Sequence, residues 1–200
     1  MNVLFVFTNI NGTNDECYSF GLASIISMTR ASGFNPKVTY IKKQSEYSRV
    51  LNEIASHKPQ VVGFSSVSSQ FFFVNEIATI IKENAPHVLT VCGGVHPTIN
   101  PSCVVESKNL DGIFVGESDY AFIEFLENVE SKGAYKDTDN FAYAEEGKLV
   151  VNKLKPLITN LDELPYPDKE LSPYREYMQS NNFFSFLLYQ RLSVFMLLLQ

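Results

Sequence analysis

Two hundred residues, 45% hydrophobic and 19% charged, make a globular chain of ordinary domain size with an appendage. A net charge of −6 and the lack of any Lys/Arg-rich run exclude the basic footprint of a nucleic-acid or anionic-membrane binder. The cysteines, Cys17, Cys92 and Cys103, are odd in number and far apart, which suits neither a disulfide framework nor a metal-ligand set. Cys92 ends an apolar run and reads as a small buried hydrophobe.

Residues 3–7 are mainly β-branched and aromatic and stop at the turn residues Thr8 and Asn9, the pattern of a strand buried on both faces. No basic n-region precedes them, so a signal peptide is not expected and the expected location is cytoplasmic. Residues 18–32 place Leu22, Ile25 and Ile26 at helical spacing, with Gly33 just beyond the end. Residues 37–41 form a second strand, and Val50, Leu51, Ile54 and Ala55 mark a helix closed before Pro59. Residues 61–65 are a third strand, followed by a helix over 72–83 that Pro86 ends. A fourth strand at 88–92 leads to a short helical turn near Val104, a fifth strand at 112–115, and a last helix over 120–129.

This alternation predicts an α/β chain: a doubly wound, Rossmann-like or flavodoxin-like, five-stranded parallel sheet with helices on both faces, spanning residues 1–133. Residues 134–176 read as a hairpin and linker segment. Short strands at 141–144 and 149–151 flank Glu145-Glu146-Gly147-Lys148, and Pro156, Pro165, Pro167 and Pro173 mark an extended linker. Residues 177–200 form an apolar tail, to which no function is assigned. With Gln190-Arg191 midway through 183–200, it suits an amphipathic or partner-packed helix, or an unnatural or frameshifted end, better than a span of about 20 apolar residues.

In open parallel sheets, ligands bind beyond the C-terminal ends of the strands. Four loops meet at that edge: Thr8 and Asn9 onward to Asn14; Ser65, Ser66, Val67, Ser68 and Ser69; Gly93-Gly94-Val95-His96-Pro97-Thr98; and Gly116-Glu117-Ser118-Asp119. Their small and hydroxyl residues allow a backbone to approach a ligand closely. Each loop alone also has a plainer reading, Gly93-Gly94 as a turn and 65–69 as a helix cap. Nucleotide fingerprints are absent: no Gly-x-Gly-x-x-Gly, no phosphate-binding Gly-x4-Gly-Lys-Ser/Thr and no Gly-x-Ser-x-Gly elbow. Thr8 and Ser65 stand where a phosphoacceptor domain would need acidic residues. No residue is assigned as catalytic. His96 is open to two readings, a metal or ligand contact and a structural turn residue. His57 and His87 lie at the opposite edge.

The motifs Gly21-Leu22-Ala23-Ser24, Gly63-Phe64-Ser65-Ser66, Gly93-Gly94-Val95-His96-Pro97-Thr98 and Val115-Gly116-Glu117 resemble the cobalamin-binding N-terminal domain of B12-dependent radical SAM proteins. Lys155-Pro156-Leu157-Ile158 and Leu161-Asp162-Glu163-Leu164-Pro165-Tyr166-Pro167-Asp168 are similar to the segment joining that domain to the radical SAM barrel. The resemblance implies cobalamin across the strand ends with its nucleotide tail in the crevice. Its contacts would be Thr8, Asn9, Ser65, Ser66, Val67, Ser68, Gly93, Gly94, His96, Gly116 and Glu117. It implies a corrin that carries a methyl group or an electron to a substrate radical, in methyl transfer or cyclisation. The Asp-x-His-x-x-Gly box for a lower axial imidazole is absent, since Ala55, Ala85 and Gly94 stand two residues before the three histidines. A base-off cobalt without a protein histidine follows. The Cys-x3-Cys-x2-Cys motif for a [4Fe–4S] cluster is also absent, so the cluster, S-adenosylmethionine and barrel are expected in a partner or a missing portion, with this chain truncated and not catalytic alone.

Two other readings stand beside this one. A cofactor-free interaction module retaining the fold would explain the apolar tail. An enzyme using the same crevice for a nucleotide sugar would explain the loops.

Overall fold

The computed structural model describes residues 1–12 and 18–171. Thr13, Asn14, Cys17 and the apolar tail lie outside the described residues. Strand β1 (Asn2–Thr8) is followed by α1 (Phe20–Ala31), β2 (Asn35–Ile41), α2 (Tyr47–His57), β3 (Val61–Ser65), α3 (Phe71–Asn84) and β4 (Leu89–Gly93). Two short helices, α4 (Val95–Ile99) and α5 (Cys103–Glu106), then lead to β5 (Gly112–Phe114) and α6 (Asp119–Glu130). The hairpin is β6 (Phe141–Glu145) and β7 (Lys148–Val151).

The strands lie in the order β2-β1-β3-β4-β5-β6-β7. Strands β1 to β5 are parallel, as the β-α alternation requires. Alternate side chains point to opposite faces. Leu4, Val6 and Val62 meet Val50 and Ile54 of α2 and Val74, Ile77 and Ile81 of α3 on one face. Phe5, Val61, Val91 and Phe114 meet Leu22 and Ile26 of α1 and Phe122, Phe125 and Leu126 of α6 on the other.

Two expectations need correction. The hairpin does not stand apart from a five-stranded sheet: β6 pairs antiparallel with β5 through Ile113–Ala142 and Phe114–Phe141, giving a mixed sheet of seven strands. The cause is burial on both faces, because Ala142 joins the α2–α3 side while Phe141 and Tyr143 join the α6 side. Pairing also covers the edge that three-residue β5 would leave open. Second, the stretch after β4 holds two short helices where one turn near Val104 was expected, with Pro101 separating them.

Residues 152–171 contain only a single 3-10 turn, Leu161–Glu163, as an extended linker should. They are nonetheless fastened to the domain. The Lys155 amide donates to Asn140 Oδ1 at 2.8 Å, and Ser27 Oγ of α1 donates to the Tyr166 carbonyl at 2.7 Å. The Asp168 amide donates to the Ala23 carbonyl at 3.0 Å, and its buried carboxylate lies 3.0 Å from the Arg30 guanidinium. The segment is a strap along α1.

Gly112 fits under the hairpin because it has no side chain: a Cβ there would fall on the Phe141 ring, which packs against Phe114 and Phe125. Gly112→Ala should therefore lower stability by about 2 kcal/mol, the usual cost of overpacking a tight core. Urea unfolding measures it, and an unchanged midpoint would show that the aromatic cluster yields.

Candidate ligand cavity at the strand ends

A cavity of about 540 Å³ opens at the C-terminal edge of the sheet, on the α1–α6 face. This is a usual size for a small-molecule site. Its floor is set by cross-strand neighbours: Phe5 of β1 pairs with Gly63 of β3, which pairs with Val91 of β4. Gly63 interrupts a run of branched and aromatic residues, which lets the Phe5 ring lie over it at the floor. A Cβ at Gly63 would come within 3.1 Å of the Phe5 ring. Leu22 and Ile25 of α1 and Phe122 of α6 wall the sides, and Leu157 of the strap reaches the mouth.

Hydrogen bonds lace three of the four loops together. The Ser66 amide donates to the Gly93 carbonyl, and the His96 amide donates to the Ser66 carbonyl, each at 3.0 Å. Thr98 Oγ1 donates to the Gly94 carbonyl at 2.8 Å and accepts from the Gly116 amide at 3.1 Å. Asn140 Nδ2 donates to the Val115 carbonyl at 2.8 Å and to the Glu117 carbonyl at 3.1 Å, which ties the β5 loop to the hairpin. Gly94 takes φ +101° and ψ −167°, and a Cβ would lie 2.8 Å from both Ser66 N and Ser66 O. Only glycine meets both constraints.

Of the residues expected from sequence, Ser65, Gly93, Gly94, Gly116 and Glu117 line the cavity. Ser66, Val67, Ser68 and His96 do not line it, although three of them help shape its mouth. Ser66 Oγ turns back to the Val67 carbonyl at 2.9 Å. His96 Nδ1 lies 3.0 Å from Ser68 Oγ, and its ring packs on Phe71 with centroids 4.2 Å apart. The 65–69 loop does not cap α3 by a side chain: the cap residue is Gln70, which makes no such bond. Thr8 and Asn9 are elsewhere. Thr8 shares the face of Leu4 and Val6, buried on the α2–α3 side, and its hydroxyl has no hydrogen-bond partner among the described residues. The Asn9 amide donates to the Ile41 carbonyl, and Gln70 clasps Ile10 by both its backbone groups. The described start of the first loop is thus held at the N-terminal end of α3 through Gln70.

Sequence reading missed the aromatic floor and the bracing by Gln70 and Asn140, and it placed Ser118 and Asp119 in the loop without naming them as contacts. The alternation in β1 contained a signal for Phe5, since only one of Phe5 and Val6 can face α1. Bracing by Gln70 depends on a contact 60 residues away in sequence and left no local pattern.

Among the described residues, the rim carries two carboxylates and no lysine or arginine. Both are engaged: Glu117 accepts from the Ile158 amide at 2.7 Å, and Asp119 accepts from Ser24 Oγ at 2.6 Å. A phosphate-rich nucleotide sugar would find no cation here, which argues against that reading. Cys92 and Cys103 are buried in the opposite core. Burial, with a smaller effect from Glu106, pushes the Cys103 thiol up to about 11, and burial pushes Cys92 up further. Neither offers the thiolate that a metal takes. Among the described residues, no group of His, Cys, Asp and Glu could hold a metal ion, and no helix is long and apolar enough to cross a membrane.

The profile of the B12 binding domain matches residues 10–126, more than half of the chain. The chain belongs to the B12-binding domain family. It is 28% identical over 158 residues to an uncharacterized methyltransferase of Pyrococcus horikoshii, covering 78% of this chain and 34% of that one. It is 25% identical over 189 residues to the anaerobic magnesium-protoporphyrin IX monomethyl ester cyclase of Rubrivivax gelatinosus, covering 89% and 34%. The chain thus spans about a third of the length of these curated relatives.

Among solved structures, it matches the cobalamin-dependent S-adenosylmethionine radical enzyme OxsB, with aqua-cobalamin and S-adenosylmethionine bound, at a TM-score of 0.71 and 15% identity, covering 88% of this chain and 25% of that one. It matches the radical S-adenosylmethionine methyltransferase TsrM from Kitasatospora setae, with cobalamin and a [4Fe–4S] cluster bound, at 0.64 and 15%, covering 84% and 31%. At such identities the likeness is one of fold. With the family match, it bears out the expected kinship with the cobalamin-binding module of radical SAM methyltransferases and cyclases.

Three substitutions test the mouth. Gly94→Ala should break the Ser66–His96 clasp, cost about 1–3 kcal/mol in stability and speed hydrogen exchange at the His96 amide. Gly21→Ala, in α1 with open space around its Cβ position, should leave stability equal or raise it by up to about 1 kcal/mol. Glu117→Gln should speed exchange at the Ile158 amide several-fold while the melting temperature barely moves, because the bond is exposed. Protection unchanged at Ile158 would show that the strap is held by other contacts.

Proposed function

We propose that the cavity takes the nucleotide tail of cobalamin and that the loops above it carry the corrin. In this reading the chain is the corrinoid-holding part of a radical S-adenosylmethionine protein acting in methyl transfer or cyclisation. The observation that carries it is the hollow beneath Gly63, Gly93 and Gly94, at the strand ends of a chain belonging to the B12-binding family. The residues present fit the group. The cavity suits one end of so large a ligand and not the whole of it. Positive-φ glycines at Gly94 and Gly116 keep side chains off the mouth. Val95 and Ile99 at the rim are exposed and apolar, as is Val67 on the loop beside them, and they offer a flat macrocycle a surface to cover.

Ser65, Gly93, Gly94, Gly116 and Glu117 would line the tail. Ser66, Ser68 and His96 would act by holding the loops, and Thr8 and Asn9 by fixing the end of β1. His96 is occupied with Ser68 and Phe71, so the reading keeps the cofactor base-off and takes no histidine from the chain. Bound cobalamin supplies a methyl group or an electron to a substrate radical. This chain's residues bind it, orient it and cover its tail from water. In this reading a radical SAM barrel, with its cluster and S-adenosylmethionine, is the partner, and the strap fastened along α1 would be the connection toward it.

Titration of the 200-residue chain with hydroxocobalamin should shift the visible corrin spectrum, and the corrinoid should co-elute with protein on gel filtration. Gly63→Val, which fills the floor between Phe5 and Phe122, should weaken binding at least about tenfold, equivalent to 1.4 kcal/mol, while circular dichroism remains that of a folded chain. Absence of both co-elution and spectral change with the unmodified chain would overturn the reading.

A further inference from the structure

Resting on the corrinoid reading above, we infer that the cavity selects among corrinoids by the lower base of their nucleotide tail, favouring a benzimidazole over a purine. Corrinoids share the macrocycle and differ at the end of the tail, which carries a benzimidazole, a purine or no base. The inner walls are the side chains of Phe5, Leu22, Ile25, Val91, Phe114 and Phe122, none of which has a polar atom. The floor backbone at Gly63 and Val91 lies within strands paired on both sides, so its amides and carbonyls are committed to the sheet.

Polar lining groups are confined to the rim, and nearly all are engaged. Thr98 bonds Gly94 and Gly116, Ser118 Oγ donates to the Gly116 carbonyl at 3.1 Å, Glu117 holds Ile158 and Asp119 holds Ser24. Among the lining side chains, Ser65 is the polar one with no hydrogen bond within the described residues, while Glu117 and Asp119 each use one carboxylate oxygen at the rim. A dimethylbenzimidazole released from cobalt presents two methyl groups and a single ring-nitrogen acceptor. One hydroxyl donor and apolar walls match it. An adenine brings an exocyclic amine and further ring nitrogens, and burying these without partners is unfavourable.

Binding constants for three hydroxo-corrinoids decide the matter, measured by visible titration and ultrafiltration: cobalamin, its adenine-tailed counterpart and tail-less cobinamide. Cobalamin should bind at least about tenfold more tightly than the adenine form, equivalent to 1.4 kcal/mol, and more tightly than cobinamide. The sign is diagnostic. Benzimidazole is the stronger base toward cobalt, so its release opposes this order, and the preference has to come from the cavity. Ile25→Asn places a polar group on the half-buried wall of α1 and should narrow the cobalamin-to-adenine ratio at least about threefold.

Equal or tighter binding of the adenine form overturns the inference, as does cobinamide binding as tightly as cobalamin. Both leave the corrinoid reading intact. Failure of all three to bind overturns that reading and this inference with it. The comparison on the unmodified chain stands even where Ile25→Asn fails to fold.

Discussion

The mouth of the cavity depends on one close approach, the backbone of Gly94 lying against the backbone of Ser66. Two loops that leave adjacent parallel strands are brought together without a side chain between them, and two hydrogen bonds, Ser66 to Gly93 and His96 to Ser66, hold the contact. From it the rest follows. The chain after Gly94 turns at once into the short helix of 95–99, which delivers Thr98 to the neighbouring loop, where its hydroxyl meets Gly116. A substituent at Gly94 would separate the loops, and the cavity would lose its rim before losing any of its walls.

Polar and apolar groups divide the work at this edge. Hydroxyls, amides and carboxylates are spent on lacing loop to loop and loop to strap, while the space inside is bounded by phenylalanine, leucine, isoleucine and valine. Such a site is suited to holding a group by shape and exclusion of water. Among the described lining residues there is no lysine or arginine, and both carboxylates are bonded to neighbouring loop or strap groups.

Much of this was legible in the sequence. Runs of branched and aromatic residues separated by helical spacing marked five parallel strands, because burial on both faces leaves little choice of composition. The glycine- and serine-rich loops marked the ligand edge, since only small residues let backbones meet there. What escaped was long-range. The alternation of 141–144 showed a strand but not that Phe141 and Ala142 would pair with β5. The prolines of 153–173 showed an extended course but not its fastening to α1 by Tyr166 and Asp168. Thr8 ends the expected strand but faces the α2–α3 side and not the cavity, because the side of the sheet a terminal residue occupies depends on a register that a single strand does not reveal.

The strap links the two halves of this picture. Its start is held by Asn140, which also binds the β5 loop, its middle reaches Glu117 at the cavity rim, and its end lies on α1 beside the cavity wall. A ligand that pressed on the rim near Leu157 would act on the same residues that hold the strap. The Arg30–Asp168 pair closes the far end, where the carboxylate is buried and the guanidinium is partly exposed. Removing Arg30 would take the countercharge from the buried Asp168 carboxylate. The strap is consequently firmest at α1 and most yielding at the cavity, where one exposed carboxylate holds one amide.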